Sequence, residues 1–479
     1  MSGKPVSYSI ETEISSSYKE RLLDYIQRKY LLATPSQFSN VSRTTAEGYP
    51  FLAFDAVDPT KKQKLHVEIK GSEPVNVEIT KLDVETSEQW VNEVREDIVL
   101  LVDLFEEGVR ESTLYFAWRE GEKIVPEEHF GKEKKTINRM FLETQILLFV
   151  VFITLGMFLF AILGWIAPLV LLGIQLIFLF YSNKVIERTA DWHITEQNPT
   201  IHLLEYRLPL EEHESFKQTY SKDQLIAMKK EMYEQAMSKK GEIDCQTAQK
   251  VLGKYGFECK PENLVSKKIN VYQLVKKVVD KFKLPTPEIV VSNTLVPNAS
   301  ASGISPSRGV VLITTGLLVQ LDEEEIVSVL GHEFGHLKGH DPLALFGLTG
   351  AEFLFRYYVL LSFFPIFFNS ILLFLVYFWA IMTLIFFIAK FFEARADLTS
   401  AIVIGRPKTL AKALEKIGFK RLLIERLPLN RLQEWISLDP HPPIYFRIQR
   451  LDALKEPAQA KHPLFRSAKE VIAGFLASF

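Results

Sequence analysis

Hydrophobic and polar positions divide the chain into stretches of unlike pattern. In the first 130 residues, apolar positions are interleaved with charge. Leu65, Val67 and Ile69 alternate with His66, Glu68 and Lys70. Val75, Val77 and Ile79 repeat the pattern after Gly71-Ser72-Glu73-Pro74, which predicts a hairpin with one wet face. Ser17 and Glu20 frame a capping box that opens a helix through Tyr18, Leu22 and Ile26. Trp90, Val94, Ile98, Leu101 and Phe105 form one stripe of a long helix stopping at Gly108, and Thr113 to Trp118 reads as a strand. Residues 1–130 are therefore expected to form a soluble α+β domain.

The pattern then changes. Residues 144–183 carry no charge, about twice the length a membrane-spanning helix needs. The run is broken by Gly164-Trp165-Ile166-Ala167-Pro168, so residues 131–184 are expected to form a transmembrane hairpin. A second apolar tract, 343–389, is interrupted only by Glu352 and Arg356, four apart and able to pair on one helix face. It predicts a second hairpin turning near Pro365 to Ser370.

Between the tracts, residues 185–265 read as a polar, mainly helical insertion, with one helix starting at Ser221-x-x-Gln224. Residues 266–342 hold a helix capped by Asn270 and Gln273, short strands at Ile289–Val291 and Val310–Ile313, and a helix opened by Asp322 and Glu325. Residues 390–479 return to a polar composition.

Composition adds little until it is read with this pattern. The 479 residues are 47% hydrophobic and 24% charged, with a net charge of -2, which gives no reason to expect a nucleic-acid partner. Cys245 and Cys259 are too few for a disulfide framework and fit a reducing interior or a chain that does not depend on disulfides. The polar first thirty residues contain no signal-peptide core. Lys132, Lys134, Lys135 and Arg139 precede the first tract, and Lys184 and Arg188 follow it. The positive-inside rule places the N-terminus and all the polar segments in the cytoplasm.

The candidate chemistry lies in Leu330-Gly331-His332-Glu333-Phe334-Gly335-His336. Histidines at i and i+4 share one helix face and reach a single metal ion, and Glu333 is placed to act as base on a water there. Such a site needs a third protein ligand. A histidine six residues after the second would serve, but that position is Pro342, although Gly339 precedes it as that arrangement requires. A glutamate from a later helix is the alternative. Glu393 fits, with Asp397 one turn on, able to orient a ligating imidazole. His441 and Arg447, in Asp439-Pro440-His441-Pro442-Pro443 and the helix after it, are candidates for stabilising an oxyanion. His66, His129, His193, His202 and His213 lack partners at ligand spacing and read as structural or solvated.

With HEFGH at 332–336, Glu393-x-x-x-Asp397 and His441-Pro442-Pro443 followed by Arg447, the chain resembles the HtpX and CAAX-prenyl-protease group of membrane zinc peptidases, of the gluzincin type, over residues 270–455. The resemblance implies a zincin-type α+β catalytic domain on a mostly α membrane protein, with Zn2+ held by His332, His336 and Glu393. It implies catalytic roles for Glu333, His441 and Arg447. It also implies a polypeptide substrate lying as an extended strand near Asn298 and Ala299. Four expected spans match the HtpX type better than the larger CAAX proteases, and Ser300 stands where the group often has an aromatic residue. The resulting expectation is a multi-pass, cell-membrane zinc endopeptidase acting on misfolded membrane proteins or their cytoplasmic segments. The alternatives are an inactive membrane scaffold, or a processing protease for one substrate, lipidated or not.

Overall fold

A computed structural model describes residues 5–12, 14, 18–58, 63–83, 86–111, 113–120, 145–207, 219–220, 222–238, 244–256, 258–303, 305–363, 370–425, 428–454 and 462–478. Ser17, His129, the basic flank 132–139, His213, Ser221 and residues 365–369 of the expected turn lie outside these residues. The strands are β1 (Val6–Ile10), β2 (Phe38–Ala46), β3 (Tyr49–Val57), β4 (Lys64–Lys70), β5 (Val75–Lys81), β6 (Thr113–Trp118), β7 (Trp192–Ile194), β8 (Thr200–Arg207), β9 (Leu264–Asn270), β10 (Glu288–Ser292), β11 (Ala299–Ser302) and β12 (Val310–Thr314). Most of the remaining elements are helices.

The chain separates into two compact units, 1–116 with 204–266, and 117–203 with 267–479. In the first, the expected hairpin β4–β5 belongs to a five-stranded antiparallel sheet of order β1-β5-β4-β3-β2. Its Leu65, Val67, Ile69, Val75, Val77 and Ile79 are buried, in one core with Leu22 and Ile26 of the helix Lys19–Ile26 and Val94, Ile98 and Phe105 of the helix Glu88–Glu111. That second helix continues through Gly108, because Val109 prolongs its apolar stripe into the core. A single glycine costs a helix only about 1 kcal/mol.

The stretch after residue 185 holds strands beside the expected helices. It contributes β7 and β8, where Ile201, Leu203, Leu204 and Tyr206 are buried without helical period, besides the helices Lys222–Ser238 and Cys245–Leu252. Against the expectation of a reducing interior or a chain that does not depend on disulfides, Cys245 and Cys259 form one. β6, β8 and β9 form a three-stranded sheet.

The second unit holds a four-stranded sheet of order β11-β12-β10-β7, with β10 and β12 parallel and β11 antiparallel at the edge. Its core packs the helices Val271–Phe282 and Glu323–Gly339 (the metal helix) with Val291, Val311 and Ile313 of the sheet.

Three helical stretches of this unit, Thr154–Phe180, Asp341–Leu360 and Ile371–Ile404, are long and apolar enough to cross a membrane by length and composition. The first is interrupted by a tight turn at Gly164–Ile166, and Gly156 lies against Leu171, so the chain folds back there. Tyr358 donates to the carbonyl of Trp165 (2.8 Å), which brings the end of Asp341–Leu360 to that turn. The expected Glu352–Arg356 pair forms (2.9 and 3.2 Å), and Tyr377 of the long helix Ile371–Ile404 donates to Glu352 (3.0 Å).

Candidate metal centre

The metal helix is fixed at its start by a reciprocal capping box. Asp322 accepts from the Glu325 N–H (2.8 Å), and Glu325 accepts from the Asp322 N–H (3.0 Å). Its two glycines let another helix come close. A Cβ on Gly331 would sit 2.6 Å from Ser400 Oγ and Ile404 Cγ1, and one on Gly335 would sit 3.1 Å from Ala396 Cα. The helix in contact is Ile371–Ile404, and Ser400 Oγ also donates to the Ser328 carbonyl (2.8 Å). One unbroken helix therefore runs from the apolar tract to Glu393 and Asp397 and sets both carboxylates against the histidines.

His332 Nε2 and His336 Nε2 lie 3.1 Å apart. Glu393 reaches both, with its oxygens 3.4 Å from His332 Nε2 and 3.3 Å from His336 Nε2. These three residues offer ligand atoms within 4.8 Å of one another.

The surroundings fit a cation. His332 Nδ1 lies 2.8 Å from Asp397 Oδ1, and His336 Nδ1 lies 2.7 Å from Asp341 Oδ2. A carboxylate only accepts, so His336 Nδ1 is held as the N–H, the nearby Asp397 favours the same proton at His332 Nδ1, and both Nε2 atoms face inward. Glu393 Oε2 is buried and has no hydrogen-bond partner. Two lone pairs and an unpartnered carboxylate oxygen facing one point leave negative potential for a positive ion to balance.

The carboxylates around them make both imidazoles bind protons strongly. Burial alone would push His336 down, but Glu393 and the bond to Asp341 outweigh it and raise its pKa to about 10. His332 is also raised, because Asp397 and Glu393 outweigh its burial.

Each carboxylate behind a histidine is itself held by an arginine. Arg447, in the helix Ile444–Asp452, grips Asp397 with two bonds, Nε to Oδ2 (2.8 Å) and NH2 to Oδ1 (2.7 Å). Arg447 is thereby seated as the holder of the carboxylate that faces His332. Arg395 NH2 donates to Asp341 Oδ2 (2.6 Å) and to the Gly335 carbonyl (3.0 Å). Gly339 makes room for it, since a Cβ there would come within 1.8 Å of Arg395 NH1. Asp341 and Arg395 were missed in the sequence; an aspartate next to a helix end carries no mark separating a histidine partner from a cap.

Glu333 sits beside the edge strand, where its Oε2 accepts the Ala301 N–H (3.0 Å). The β11–β12 register pairs Ala299 with Ile313 and Ala301 with Val311, and the Thr314 N–H bonds the Asn298 carbonyl (3.0 Å). Bonded and non-bonded pairs alternate in an antiparallel ladder. The main-chain groups of Asn298 therefore face β12, and those of Ala299 and Ala301 face the open edge. This sharpens the expectation for Asn298 and Ala299: Ala299 is the one with a free backbone.

His441 is about half exposed and its Nε2 lies 3.7 Å from Glu393. Asp439 holds it, at 2.8 Å from both the ring Nδ1 and the backbone N–H. Arg421, which donates to Asp439 (2.6 Å), helps keep that carboxyl well below the usual range, after the bonds to His441. A cavity of about 210 Å³ opens here, lined by Asn298, Ala299, His332, Glu333, His441 and Arg447 on its polar side and by Val329, Leu410, Leu414, Ile417 and Ile444 on its apolar side.

Comparison with known proteins agrees with this geometry. Residues 266–455 match Peptidase family M48. A protease HtpX homolog of Desulforapulum autotrophicum is 31% identical over 208 residues, 38% of this chain and 67% of that protein. Protease HtpX homolog 2 of Methanosarcina acetivorans is 32% identical over 180 residues, 34% of this chain and 59% of that protein. Among solved structures, Ste24p of S. mikatae aligns at 20% identity over 37% of this chain and 49% of its own, with a TM-score of 0.30, too loose a likeness to describe the fold. The chain belongs to peptidase family M48, with the HtpX-type membrane proteases.

Proposed function

We propose that the protein is an integral-membrane zinc endopeptidase. The observation that carries this is the convergence of His332 Nε2, His336 Nε2 and an unpartnered Glu393 oxygen beside Glu333 and an open strand edge. His332, His336 and Glu393 would hold the zinc, which as a Lewis acid polarises a carbonyl and acidifies water.

The chain's own residues do the rest. Ala299 offers its N–H and carbonyl to an extended substrate, as an added strand. Glu333 takes a proton from the attacking water and passes it to the leaving amine. Its bond to Ala301 holds it until substrate and water arrive. His441, held by Asp439, supplies a proton or hydrogen bond to the developing oxyanion. Arg447 holds Asp397, and through it His332, and adds positive charge nearby. The substrates we propose are misfolded membrane proteins or their exposed segments.

The apolar stretches support a multi-pass protein of four spans in two hairpins. The basic flanks favour a cytoplasmic site. The Cys245–Cys259 disulfide favours a second reading, with the polar segments facing an oxidising compartment. Protease accessibility of the polar segments in sealed vesicles of known orientation decides between them.

The enzymatic test is casein cleavage by the detergent-purified protein. Wild type is expected to cleave, to stop on chelation and to resume when zinc returns. Glu333→Gln is expected to lose at least about a hundredfold. Equal cleavage by both would overturn the mechanism.

A further inference from the structure

The loop that carries His441 sits at the end of the long helix, where the depth of the bilayer can be read. From Ile371 to Ala389 that helix has no charged residue, and those 19 residues span about 29 Å, close to the thickness of the hydrocarbon layer. Lys390 thus marks where the helix leaves the acyl chains. Phe387 lies one turn inside that border. Its ring packs against Phe475 at 5.3 Å and lies 6.5 Å from Trp435. The last turns of the helices Pro428–Ile436 and Pro463–Leu476 therefore reach the level of the acyl border.

Beside buried Trp435 and half-buried Phe387 and Phe475 lie four large apolar side chains in the open: Ile436 (37% exposed), Leu438 (52%), Ile472 (45%) and Leu476 (64%). Ile472 and Leu476 share a helix face at i, i+4. The same loop is tied to the helix end from inside, because buried Lys390 Nζ donates to the carbonyls of Ser437 (3.4 Å) and Asp439. Asp439 holds His441. Leu438 is thus one residue from the group that orients His441.

We infer that Ile436, Leu438, Ile472 and Leu476 form a membrane-interface patch that seats the His441 loop on the bilayer, so that lipid contact helps to hold His441 in place. The inference rests on the reading that Ile371–Ile404 crosses a membrane. The bilayer is the occupant because these side chains belong to the helix ends that pack on Phe387 and to the loop tied to Lys390, at the depth where the charge-free run stops. Large apolar groups lying at the acyl border gain burial from lipid that water denies them.

The test uses full-length protein in phosphatidylcholine vesicles, with an environment-sensitive dye on a single introduced cysteine while the native pair stays disulfide-bonded. Three sites are compared: Leu438→Cys, Val376→Cys in mid-helix, and Glu323→Cys at the start of the metal helix. The dye at 376 and at 438 is expected to be quenched by lipids brominated on their acyl chains, and the dye at 323 only by aqueous iodide. If 376 is quenched by lipid and 438 by iodide, the patch does not meet the bilayer and the inference falls. If 438 is shielded from both, a second protein surface covers it, and the inference falls as well. If 376 is not quenched by lipid, the membrane reading itself fails.

The functional arm is Leu438→Glu in the same vesicles. Its kcat on casein should drop about tenfold or more with KM and zinc content unchanged, and Leu438→Met should restore it. Unchanged kcat in Leu438→Glu would separate the patch from His441 and overturn the coupling.

Discussion

The two histidines of the metal centre are backed by the same device built in two ways. Behind His332 stand Asp397 and Arg447, both buried and joined by two parallel bonds. Behind His336 stand Asp341 and Arg395, joined by one NH2 that it shares with the Gly335 carbonyl. The first arm ties the metal helix to the long helix and to the helix Ile444–Asp452. The second ties the metal helix to Asp341, at the start of the next helix, and through Arg395 to the long helix as well. Orienting a ligand and joining helices are common to both, but the first holds its carboxylate with two guanidinium bonds and the second with one. Loss of the first should therefore cost fold and metal together, and loss of the second mainly metal.

The largest expected effect is in Asp397→Ala. It strands the Arg447 guanidinium without its partner, which costs about 3–5 kcal/mol for a buried pair. Thermal unfolding of the metal-free protein should show a marked drop in Tm, and a chelator competition should show weaker zinc binding. An unchanged Tm would mean that the arm does not fasten the core.

Asp341→Asn comes next. Zinc affinity should fall about 10–100-fold, the usual cost of removing a carboxylate behind a ligating histidine, with little change in the metal-free Tm. If Asp341→Asn unfolded the protein as readily as Asp397→Ala, the contrast between the arms would be gone.

The third prediction is a pH dependence. His332 and His336 have raised pKa values in the metal-free fold, His336 to about 10 against an ordinary 6.5. Zinc must displace those protons, so its apparent affinity should weaken as pH falls, by up to about tenfold per pH unit for each proton displaced. For the metal-free protein the sign is opposite. A raised folded-state pKa contributes stability that is complete below 6.5 and is lost as pH rises toward about 10. Melting curves across that window, with and without zinc, should move in opposite directions.

The smallest effect is expected in Gly339→Ala. Its Cβ would press on the Arg395 guanidinium, and zinc affinity should fall in the same direction as in Asp341→Asn but by less. A titration equal to wild type would show that Arg395 can move aside without consequence.

The contrast between the arms also shows where sequence reading succeeds. Periodic features were legible. HEFGH and the Glu393–Asp397 pair declare a shared helix face through their spacing of four, and Asp322 with Glu325 marked the start of the metal helix. Gly331 and Gly335, each costly in a helix, make room for the helix bearing the third candidate ligand. The second arm has no such period. Asp341 and Arg395 are 54 positions apart, and their meeting depends on how two helices cross. The Ala301 N–H that holds Glu333 is a backbone group and carries no side-chain mark. β8 escaped because Ile201, Leu203, Leu204 and Tyr206 are buried on both faces of the strand, which removes the alternation that identifies one. The disulfide escaped because fourteen residues of separation do not reveal whether two cysteines meet.

The most direct measurement is zinc per chain in Glu333→Gln and Glu393→Ala, purified side by side with wild type. The account predicts about one zinc in wild type and in Glu333→Gln, because that residue is a base and not a ligand, and loss of zinc in Glu393→Ala, because the third ligand is gone. Equal zinc in all three proteins, or its loss from Glu333→Gln with Glu393→Ala still loaded, would contradict the assignment of the site.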